Sequence, residues 1–235
     1  MSIRMFTQTG RKIIAIGRNY ALHAKELGNT VPESPMFFIK PTSSYIQPPG
    51  AIEIPHNTVV HHEIELGVVI GKEGRDITEA EAGSFIGGYV LALDMTARNL
   101  QDEAKKKGYP WTVAKGYDTF TPVGSFIPVS DVKDNSNLNL TLKVNGKIKQ
   151  SGSTGDMVFG QVVVLEYMIP KLISHVSTVM RLEAGDVILT GTPAGVGPVE
   201  TGQILDGSLE DGATKKQISS FRFPVISRPK SFLGV

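Results

Sequence analysis

Residues 59–71 read VVHHEIELGVVIG, an aliphatic stretch that carries two glutamates, Glu63 and Glu65, in its middle. Such alternation predicts a β-strand, and residues two apart in a strand share a face. Both carboxylates are therefore expected on one face, and the alternating aliphatic side chains from Ile64 to Ile70 on the other. Because an unpaired buried charge costs several kcal/mol, two adjacent acids beside a core need a partner that offsets their charge.

The flanking sequence contains further strand patterns. Residues 86–94, IGGYVLALD, predict a strand with one small apolar face that ends in Asp94. Residues 138–150 alternate apolar and polar side chains up to an Asn-Gly pair, which is typical of a two-residue hairpin turn. Other strands are expected at 12–16, 36–40 and 186–191.

Three segments have helical patterns. Residues 17–29 contain Asn19, a good N-cap residue, and indicate a helix of about two turns that starts after it. Residues 96–108 have Thr96 as the expected cap, and residues 169–181 carry apolar side chains at helical spacing. Because the sequence has no internal repeat, linker or low-complexity tract, we expect one β-rich α+β domain that spans residues 1–235.

The composition excludes several classes of function. The 24 basic and 23 acidic residues give a formal net charge of +1, which leaves no electrostatic footprint for nucleic acid or an anionic membrane. There is no cysteine, so disulfides, thiolate metal sites and a cysteine nucleophile are excluded. No apolar run reaches the length of a membrane span, and the first residues lack the apolar region of a secretion signal. We therefore expect a cytoplasmic or mitochondrial protein that is not secreted and has no nucleic-acid or membrane partner.

Glu63, Glu65 and Asp94 form the most distinctive set of polar side chains. Three converging carboxylates repel one another unless a cation joins them, and an all-oxygen donor set favours a hard divalent ion. We expect Mg²⁺, with Mn²⁺ next and Ca²⁺ as the third option. The spacing alone also fits the solvated face of an edge strand. His61 shares this face, either as a ligand, as an outer partner of one, or as a partly exposed strand histidine.

Two further groups are candidates for chemistry. His23 and Glu26 stand three apart on the first predicted helix. There the carboxylate either orients the imidazole as a general base for water or forms an incidental surface pair with it. Lys115 follows an apolar stretch, so its amine is expected either in a cleft or in solvent.

The glycine-rich segment LTGTPAGVGP, at 189–198, indicates backbone N–H groups that approach an anion. It follows a predicted strand but lacks the Gly-Lys-Ser/Thr sequence of a P-loop, so we exclude nucleotide binding.

Six segments, in this order, resemble the fumarylacetoacetate hydrolase family, and most closely its small single-domain branch, the acylpyruvases or oxaloacetate decarboxylases. They are GRNYALHAKELGN, FFIKPTSS, HHEIELGVVIG, LALDMTARNLQ, WTVAKGYDTF and LTGTPAGVGP. The likeness covers roughly residues 12–199. It implies mixed sheets rolled into an open pseudo-barrel with a few short helices, and a homodimer.

The resemblance also implies roles for individual positions. These fall into three groups: the metal ligands Glu63, Glu65 and Asp94, the catalytic residues His23, Glu26 and Lys115, and the substrate-binding residues Arg98, Gln101 and Thr192. By the resemblance, the carboxylates hold Mg²⁺ or Mn²⁺, and the dyad activates water on a short helix that closes over the site as a lid. The lysine stabilises developing negative charge.

The implied activity is metal-dependent hydrolysis of the C–C bond of acylpyruvates, such as acetylpyruvate and fumarylpyruvate, to pyruvate and a carboxylic acid. Because oxaloacetate has the same 2-oxo acid group and also yields a pyruvate enolate, its decarboxylation is expected as well. Two alternatives stay open: an isomerase or decarboxylase of a ring-cleavage product in aromatic catabolism, and a non-catalytic metal- or ligand-binding member of the fold. A non-catalytic member would be expected to lose the dyad or the lysine, and this chain has both.

Overall fold

Strands dominate the computed structural model, which describes residues 2–26, 28, 33–158 and 168–229. The strands in chain order are β1 Ile13–Gly17, β2 Met36–Lys40, β3 Tyr45–Ile46, β4 Ile52–Ile54, β5 Val60–His62, β6 Ile64–Ile70, β7 Ile86–Leu93, β8 Thr96–Ala97, β9 Thr121–Pro122, β10 Ile127–Pro128, β11 Leu138–Val144, β12 Lys147–Ser153, β13 Val187–Leu189, β14 Gly197–Pro198, β15 Ile204–Asp211 and β16 Gln217–Ser227.

The helices between the strands are short. In chain order they are α1 Phe6–Thr9, α2 Ala21–Glu26, α3 Glu79–Ala82, α4 Arg98–Lys107, α5 Thr112–Lys115 and α6 Met168–Val179. Single 3₁₀ turns lie at Ile3–Met5, Thr42–Ser44, Gly83–Phe85, Val129–Asp131 and Thr154–Asp156. Across the described part of the chain, no helix has the length and apolar character needed to cross a membrane.

The central layer is a six-stranded mixed sheet in the order β10-β7-β6-β13-β1-β2. β1 and β13 run parallel, and each other neighbouring pair runs antiparallel. β6 is buried along its whole length, because Leu66 and Val68 join one apolar cluster and Val69 joins another. Burial on both faces explains why this strand is almost continuously aliphatic.

A second sheet, in the order β12-β11-β15-β16-β4, packs on the first. Its inward side chains, including Leu140, Leu209 and Phe223, belong to the same apolar cluster as Leu66. The two sheets therefore share one core. Each described sheet has two end strands and does not close on itself, which confirms the predicted β-rich α+β fold of mixed, open sheets.

The predicted single strand over 59–71 is wrong at Glu63. β5 ends at His62 and β6 begins at Ile64, and β5 lies in a separate small sheet, in the order β14-β5-β8. Glu63 therefore occupies the junction where the chain passes from one sheet to the other, and the shared-face argument does not apply to it. Pairing with β8 and β14 decides this break, because partner strands override local alternation.

Two predicted helix caps are also wrong. α2 begins at Ala21, and the side-chain amide of Asn19 donates instead to the carbonyl of Thr190, at 2.7 Å. α4 begins only after strand β8, which contains Thr96, and the Thr96 hydroxyl donates to Glu63 Oε1 at 3.1 Å. In both cases a hydrogen bond to a distant residue holds the side chain that was expected to cap the helix.

The hairpin and the third helix agree with the sequence prediction. β11 and β12 pair around Asn145 and Gly146, whose φ values of 49° and 77° are both positive, as a type I′ turn requires. α6 packs Leu172, Ile173 and Val176 into the main core. Apolar spacing therefore predicted this helix correctly.

Candidate active site

One cleft gathers most of the predicted site residues. Eight of the nine line it: His23, Glu63, Glu65, Asp94, Arg98, Gln101, Lys115 and Thr192. The ninth, Glu26, lies beside His23. These residues come from the β5–β6 junction, strand β6, the end of β7, three helices and a glycine-rich loop, so the fold brings together side chains that are far apart in the sequence.

The three carboxylates meet because β6 and β7 are antiparallel neighbours. Glu65 lies opposite Ala92, two residues before Asp94, and the Asp94 N–H donates to the Glu63 carbonyl at 2.8 Å. Glu63, Glu65 and Asp94 are 6%, 2% and 2% exposed, and one oxygen of each lies within 4.8 Å of the others. This burial excludes a solvated edge strand.

Cations surround two of the three carboxylates. Lys115 Nζ lies 3.0 Å from Glu63 Oε2 and 2.6 Å from Asp94 Oδ2. Arg98 donates to the other oxygen of Glu63, and Lys40 Nζ lies 2.6 Å from Asp94 Oδ1. Burial would raise the pKa of Glu63, but the charges of Lys115, Arg98 and His23 hold it below its usual range.

Glu65 is the carboxylate without a cation. Within the described residues it accepts one hydrogen bond, from the N–H of Gly191 at 2.7 Å, and forms no ion pair. Burial, followed by the charges of Asp94 and Glu63, raises the pKa of Glu65 well above its ordinary value. A buried group of three oxygen donors with one uncompensated charge fits a hard divalent cation.

The surroundings of Lys115 and Lys40 shift the pKa values of the two amines in opposite directions. Burial disfavours the charged form of Lys115, but Asp94 and Glu63 outweigh it and raise the pKa of the amine. Burial lowers the pKa of Lys40, although Asp94 opposes this. Sequence reasoning missed Lys40, because a lysine at the end of a strand ordinarily reaches solvent; its place in the segment FFIKPTSS was the one available signal.

The dyad lies on α2. His23 Nδ1 is 3.4 Å from Glu26 Oε2, and both oxygens of Glu26 accept the Gly195 N–H at 3.2 Å. Burial lowers the pKa of His23, although Glu63 and Glu26 oppose this. The imidazole is therefore neutral at neutral pH, which is the form that a general base requires.

The glycine-rich loop approaches anions, as its sequence indicated. Both anions are carboxylates of the chain itself: the Gly191 N–H donates to Glu65 and the Gly195 N–H donates to Glu26. The loop thus joins the carboxylate cluster to the dyad.

Arg98 organises the opposite side of the cleft. Besides Glu63, it donates to Gln101 Oε1 at 2.6 Å and, through Nε, to His61 Nδ1 at 3.4 Å. Burial, and then the Arg98 charge, lowers the pKa of His61 to about 4. His61 therefore contacts Arg98 and is not part of the carboxylate cluster.

Gln150 is a second residue that sequence reasoning missed. Its Oε1 accepts the Ile64 N–H at 3.0 Å and lies 2.8 Å from His62 Nδ1. Its Nε2 donates to Thr192 Oγ1 and to the Pro193 carbonyl, both at 2.8 Å. The side chain therefore connects the two residues that flank Glu63 to the loop that carries Thr192. Spacing on β12 gave no signal of this contact.

Known proteins share this sequence and fold. The family described as "Fumarylacetoacetate (FAA) hydrolase C-terminal" matches residues 12–221. A Dictyostelium discoideum protein named oxaloacetate decarboxylase, mitochondrial, is 55% identical over 202 residues, which are 85% of this chain and 89% of the relative. An Arabidopsis thaliana protein named as a mitochondrial oxaloacetate tautomerase is 57% identical over 207 residues, which are 88% of this chain and 89% of the relative.

A solved structure is similar over most of its length. The crystal structure of fumarylpyruvate hydrolase from Pseudomonas aeruginosa, in complex with Mn²⁺ and pyruvate, superposes with a TM-score of 0.81 at 32% identity. The superposition covers 93% of this chain and 90% of the other.

Proposed function

The chain belongs to the fumarylacetoacetate hydrolase family, and we propose that it is a divalent-metal-dependent enzyme that acts on small 2-oxo acids through their enolates. The observation that carries the proposal is the buried cluster of Glu63, Glu65 and Asp94, with the Lys115 amine 2.6 Å from Asp94. Oxaloacetate is the proposed substrate, because the relatives at 55% and 57% identity are named for reactions of oxaloacetate.

Glu63, Glu65 and Asp94 would hold the metal, Mg²⁺ in the first place and Mn²⁺ next. The donor set supports this assignment, since three buried oxygens with the uncompensated charge of Glu65 suit a hard cation better than any group of the protein. When bound, the divalent ion would polarise the 2-oxo acid and stabilise negative charge on its oxygen atoms.

Lys115 would stabilise the enolate. Its raised pKa keeps the amine protonated at neutral pH, and its burial strengthens the attraction to charge that develops beside it. Enolate formation is common to two reactions of oxaloacetate. Proton exchange at C3 interconverts its keto and enol forms, and loss of CO₂ leaves the enolate of pyruvate.

Arg98 and Gln101 would orient the substrate, because both residues line the cleft together with the carboxylates. The Thr192 hydroxyl donates to the Ile64 carbonyl and accepts from Gln150. The hydroxyl therefore already donates its one proton within the protein, and we expect the backbone N–H of Thr192 to bind the substrate carboxylate instead.

His23 would move the proton. Held by Glu26, it would remove a C3 proton of the keto form of oxaloacetate to leave the enolate, and would return that proton to the enolate oxygen, which gives the enol, or to C3, which gives back the keto form. This dyad also favours a second activity, hydrolysis of acylpyruvates such as acetylpyruvate and fumarylpyruvate. There His23 would take a proton from water, hydroxide would add to the distal carbonyl, and the C–C bond would break to release the enolate of pyruvate, which regains the proton.

A substrate panel tests the proposal. With Mg²⁺ or Mn²⁺, the protein should turn over oxaloacetate, followed by its enol absorbance and by pyruvate release, and should hydrolyse acetylpyruvate and fumarylpyruvate more slowly. A chelator should abolish all turnover, and Glu65→Gln should do the same while Lys106→Gln, on an exposed side chain of α4, changes nothing. Absence of metal-dependent turnover of all three substrates would refute the proposal and favour a non-catalytic binding protein.

A further inference from the structure

Arg18 and Lys105 are the two cations lining the cleft that the proposed mechanism does not use. Arg18 lines the same cleft as the three carboxylates. Arg98 and Lys115 are bound to Glu63, whereas Arg18 forms no hydrogen bond or ion pair with the residues that the structure describes. Its charge is therefore available to a ligand.

The backbone at Arg18 is held in an uncommon conformation. Its φ of 58° lies in the left-handed region, which non-glycine residues seldom adopt. The next residue, Asn19, is buried and donates to the Thr190 carbonyl at 2.7 Å. The positive φ turns the chain away from the direction of β1 at the residue that lines the cleft, and the hydrogen bond of Asn19 holds the chain just beyond it.

Lys105 supplies a second cation at the outer end of an aromatic wall. The Lys115 amine lies 5.0 Å from the Phe38 ring centre. The Phe38 ring lies 5.4 Å from that of Trp111, and the Lys105 amine lies 5.7 Å from the Trp111 ring. This series of contacts leads from the carboxylates to Lys105, which also lines the cleft.

The ion pair of Lys105 is weak. Its amine lies 3.5 Å from Asp102, whose side chain is 53% exposed, and a pair in water contributes little. Burial lowers the pKa of Lys105, Asp102 raises it, and the neighbouring charges of Arg98 and Arg18 lower it. Lys105 therefore lies within electrostatic reach of both Arg98 and Arg18, and an anion bound beside Lys105 and Arg18 would reduce the repulsion between their charges.

We infer that Arg18 and Lys105 bind a second carboxylate at the far end of the 2-oxo acid. The inference rests on the proposed function, in which the 2-oxo acid end lies against Glu63, Glu65 and Asp94. The enzyme would then select dicarboxylic 2-oxo acids, such as oxaloacetate and fumarylpyruvate, over acetylpyruvate, which ends in a methyl group. A guanidinium and an ammonium that face one carboxylate form charge-assisted hydrogen bonds, which are stronger than hydrogen bonds between neutral groups.

A pair of unreactive ligands tests the second carboxylate site by binding alone, without turnover. 2-Oxoglutarate and 2-oxopentanoate have the same five-carbon chain and differ only in whether it ends in a carboxylate or a methyl group. By calorimetry with Mg²⁺ present, the wild-type protein should bind 2-oxoglutarate about ten-fold or more tightly. Arg18→Gln should remove most of this preference, Arg18→Lys should restore part of it, and Lys105→Gln should reduce it. The neighbouring substitution Lys106→Gln, on a side chain outside the cleft lining, should leave it unchanged.

The inference is overturned if the wild-type protein shows no preference, or if Arg18→Gln weakens both ligands equally, since Arg18 would then contact the shared 2-oxo acid end or support the fold. Melting temperatures of the variants show whether they stay folded. If Arg18→Gln does not fold, the same comparison of ligands is made with Lys105→Gln. Failure of the proposed function would appear separately, as absence of turnover in the wild-type protein, and would leave this comparison of ligands intact.

Discussion

Neighbouring carboxylates in the cleft have pKa values shifted in opposite directions because they differ in partners. Glu63 accepts from Arg98, Lys115 and Thr96, whereas Glu65, in the part of the chain that the structure describes, accepts from one backbone N–H. The pKa of Glu63 is accordingly lowered and that of Glu65 raised. Side chains two positions apart thus have opposite shifts, which makes Glu65 the residue whose charge most depends on a bound cation.

His23 leads to a prediction about pH. Burial lowers its pKa below the ordinary 6.5, so the neutral base persists into mildly acidic solution and protonation removes it only at lower pH. For acetylpyruvate hydrolysis with Mg²⁺, kcat/KM should fall on the acid side through a pKa below 6.5, and His23→Ala should lose the activity.

Glu26→Gln is the companion variant. Glu26 raises the pKa of His23, so its loss should move the acid limb to still lower pH and reduce kcat by about ten-fold or more. An acid limb above pH 6.5 in the wild-type protein, or an unchanged profile in Glu26→Gln, would contradict the assignment of the base.

Among the elements, the junction between β5 and β6 determines where Glu63 lies in the candidate site. Glu63 occupies the turn between two sheets, and its neighbours on each side, His62 and Ile64, are held by Gln150 of β12. The same amide holds Thr192 and Pro193 in the glycine-rich loop. β12 thus supports the β5–β6 junction, where the metal site is proposed, and the loop, although it lines no part of the cleft.

Gln150→Leu should therefore affect both stability and activity. It leaves the buried Ile64 N–H and Pro193 carbonyl without these partners, so we expect a loss of about 2–4 kcal/mol of unfolding free energy in urea. With the junction and loop released, kcat/KM should fall by about ten-fold or more, because small displacements of positioning groups cost catalysis.

Ile148→Ala on the same strand is the matched control. Its side chain is 62% exposed, and its truncation should change the unfolding free energy by less than about 1 kcal/mol. If Gln150→Leu behaved like Ile148→Ala, the connecting role of Gln150 would be refuted.

At the scale of the whole molecule, the three carboxylates belong to a junction, a central strand and the end of its neighbour, so they come together only in the folded chain. A cation that binds them there binds the native state alone and stabilises it by mass action. At about 100 times the dissociation constant this amounts to ~2.7 kcal/mol, or roughly 5–10 °C in melting temperature for a chain of this size.

Mg²⁺ or Mn²⁺ should therefore raise the melting temperature of the wild-type protein in scanning calorimetry, and EDTA should reverse the change. Glu65→Gln should abolish most of the increase, since it removes one oxygen charge from the cluster. Addition of NaCl at the same ionic strength controls for general screening. An equal increase in the wild-type protein and in Glu65→Gln would contradict the carboxylate cluster as the metal site.

The single-domain organisation, the homodimer and the cytoplasmic or mitochondrial location stay predictions. They derive from composition and resemblance, and a mass measurement by light scattering tests the dimer directly.

The sequence pattern predicted correctly the turn and the helix whose conformation depends on neighbouring residues. The Asn145-Gly146 turn follows from two positive φ values that these residues tolerate, and α6 follows from apolar spacing. The caps Asn19 and Thr96 were predicted wrongly because distant acceptors, Thr190 and Glu63, hold their side chains.

The residues of the candidate site also fall into those that the sequence predicted and those that only the structure revealed. Residue types and ordered motifs indicated three carboxylates, a dyad and a lysine, because a hard cation and a general base require those groups. Lys40, Gln150 and Arg18 were not found, since a buried amine, a connecting amide and a guanidinium with no ion pair among the described residues look ordinary in sequence.

The sequence by itself determined the chemical groups, the β-rich class and the family, because these depend on residue identity and order. The tertiary structure alone decided that the stretch VVHHEIELGVVIG breaks at Glu63 and that Glu65 has no cation partner among the described residues. The physical reason is that strand pairing and charge compensation depend on residues dozens of positions away. Their energies are set by the distances and burial that the fold creates.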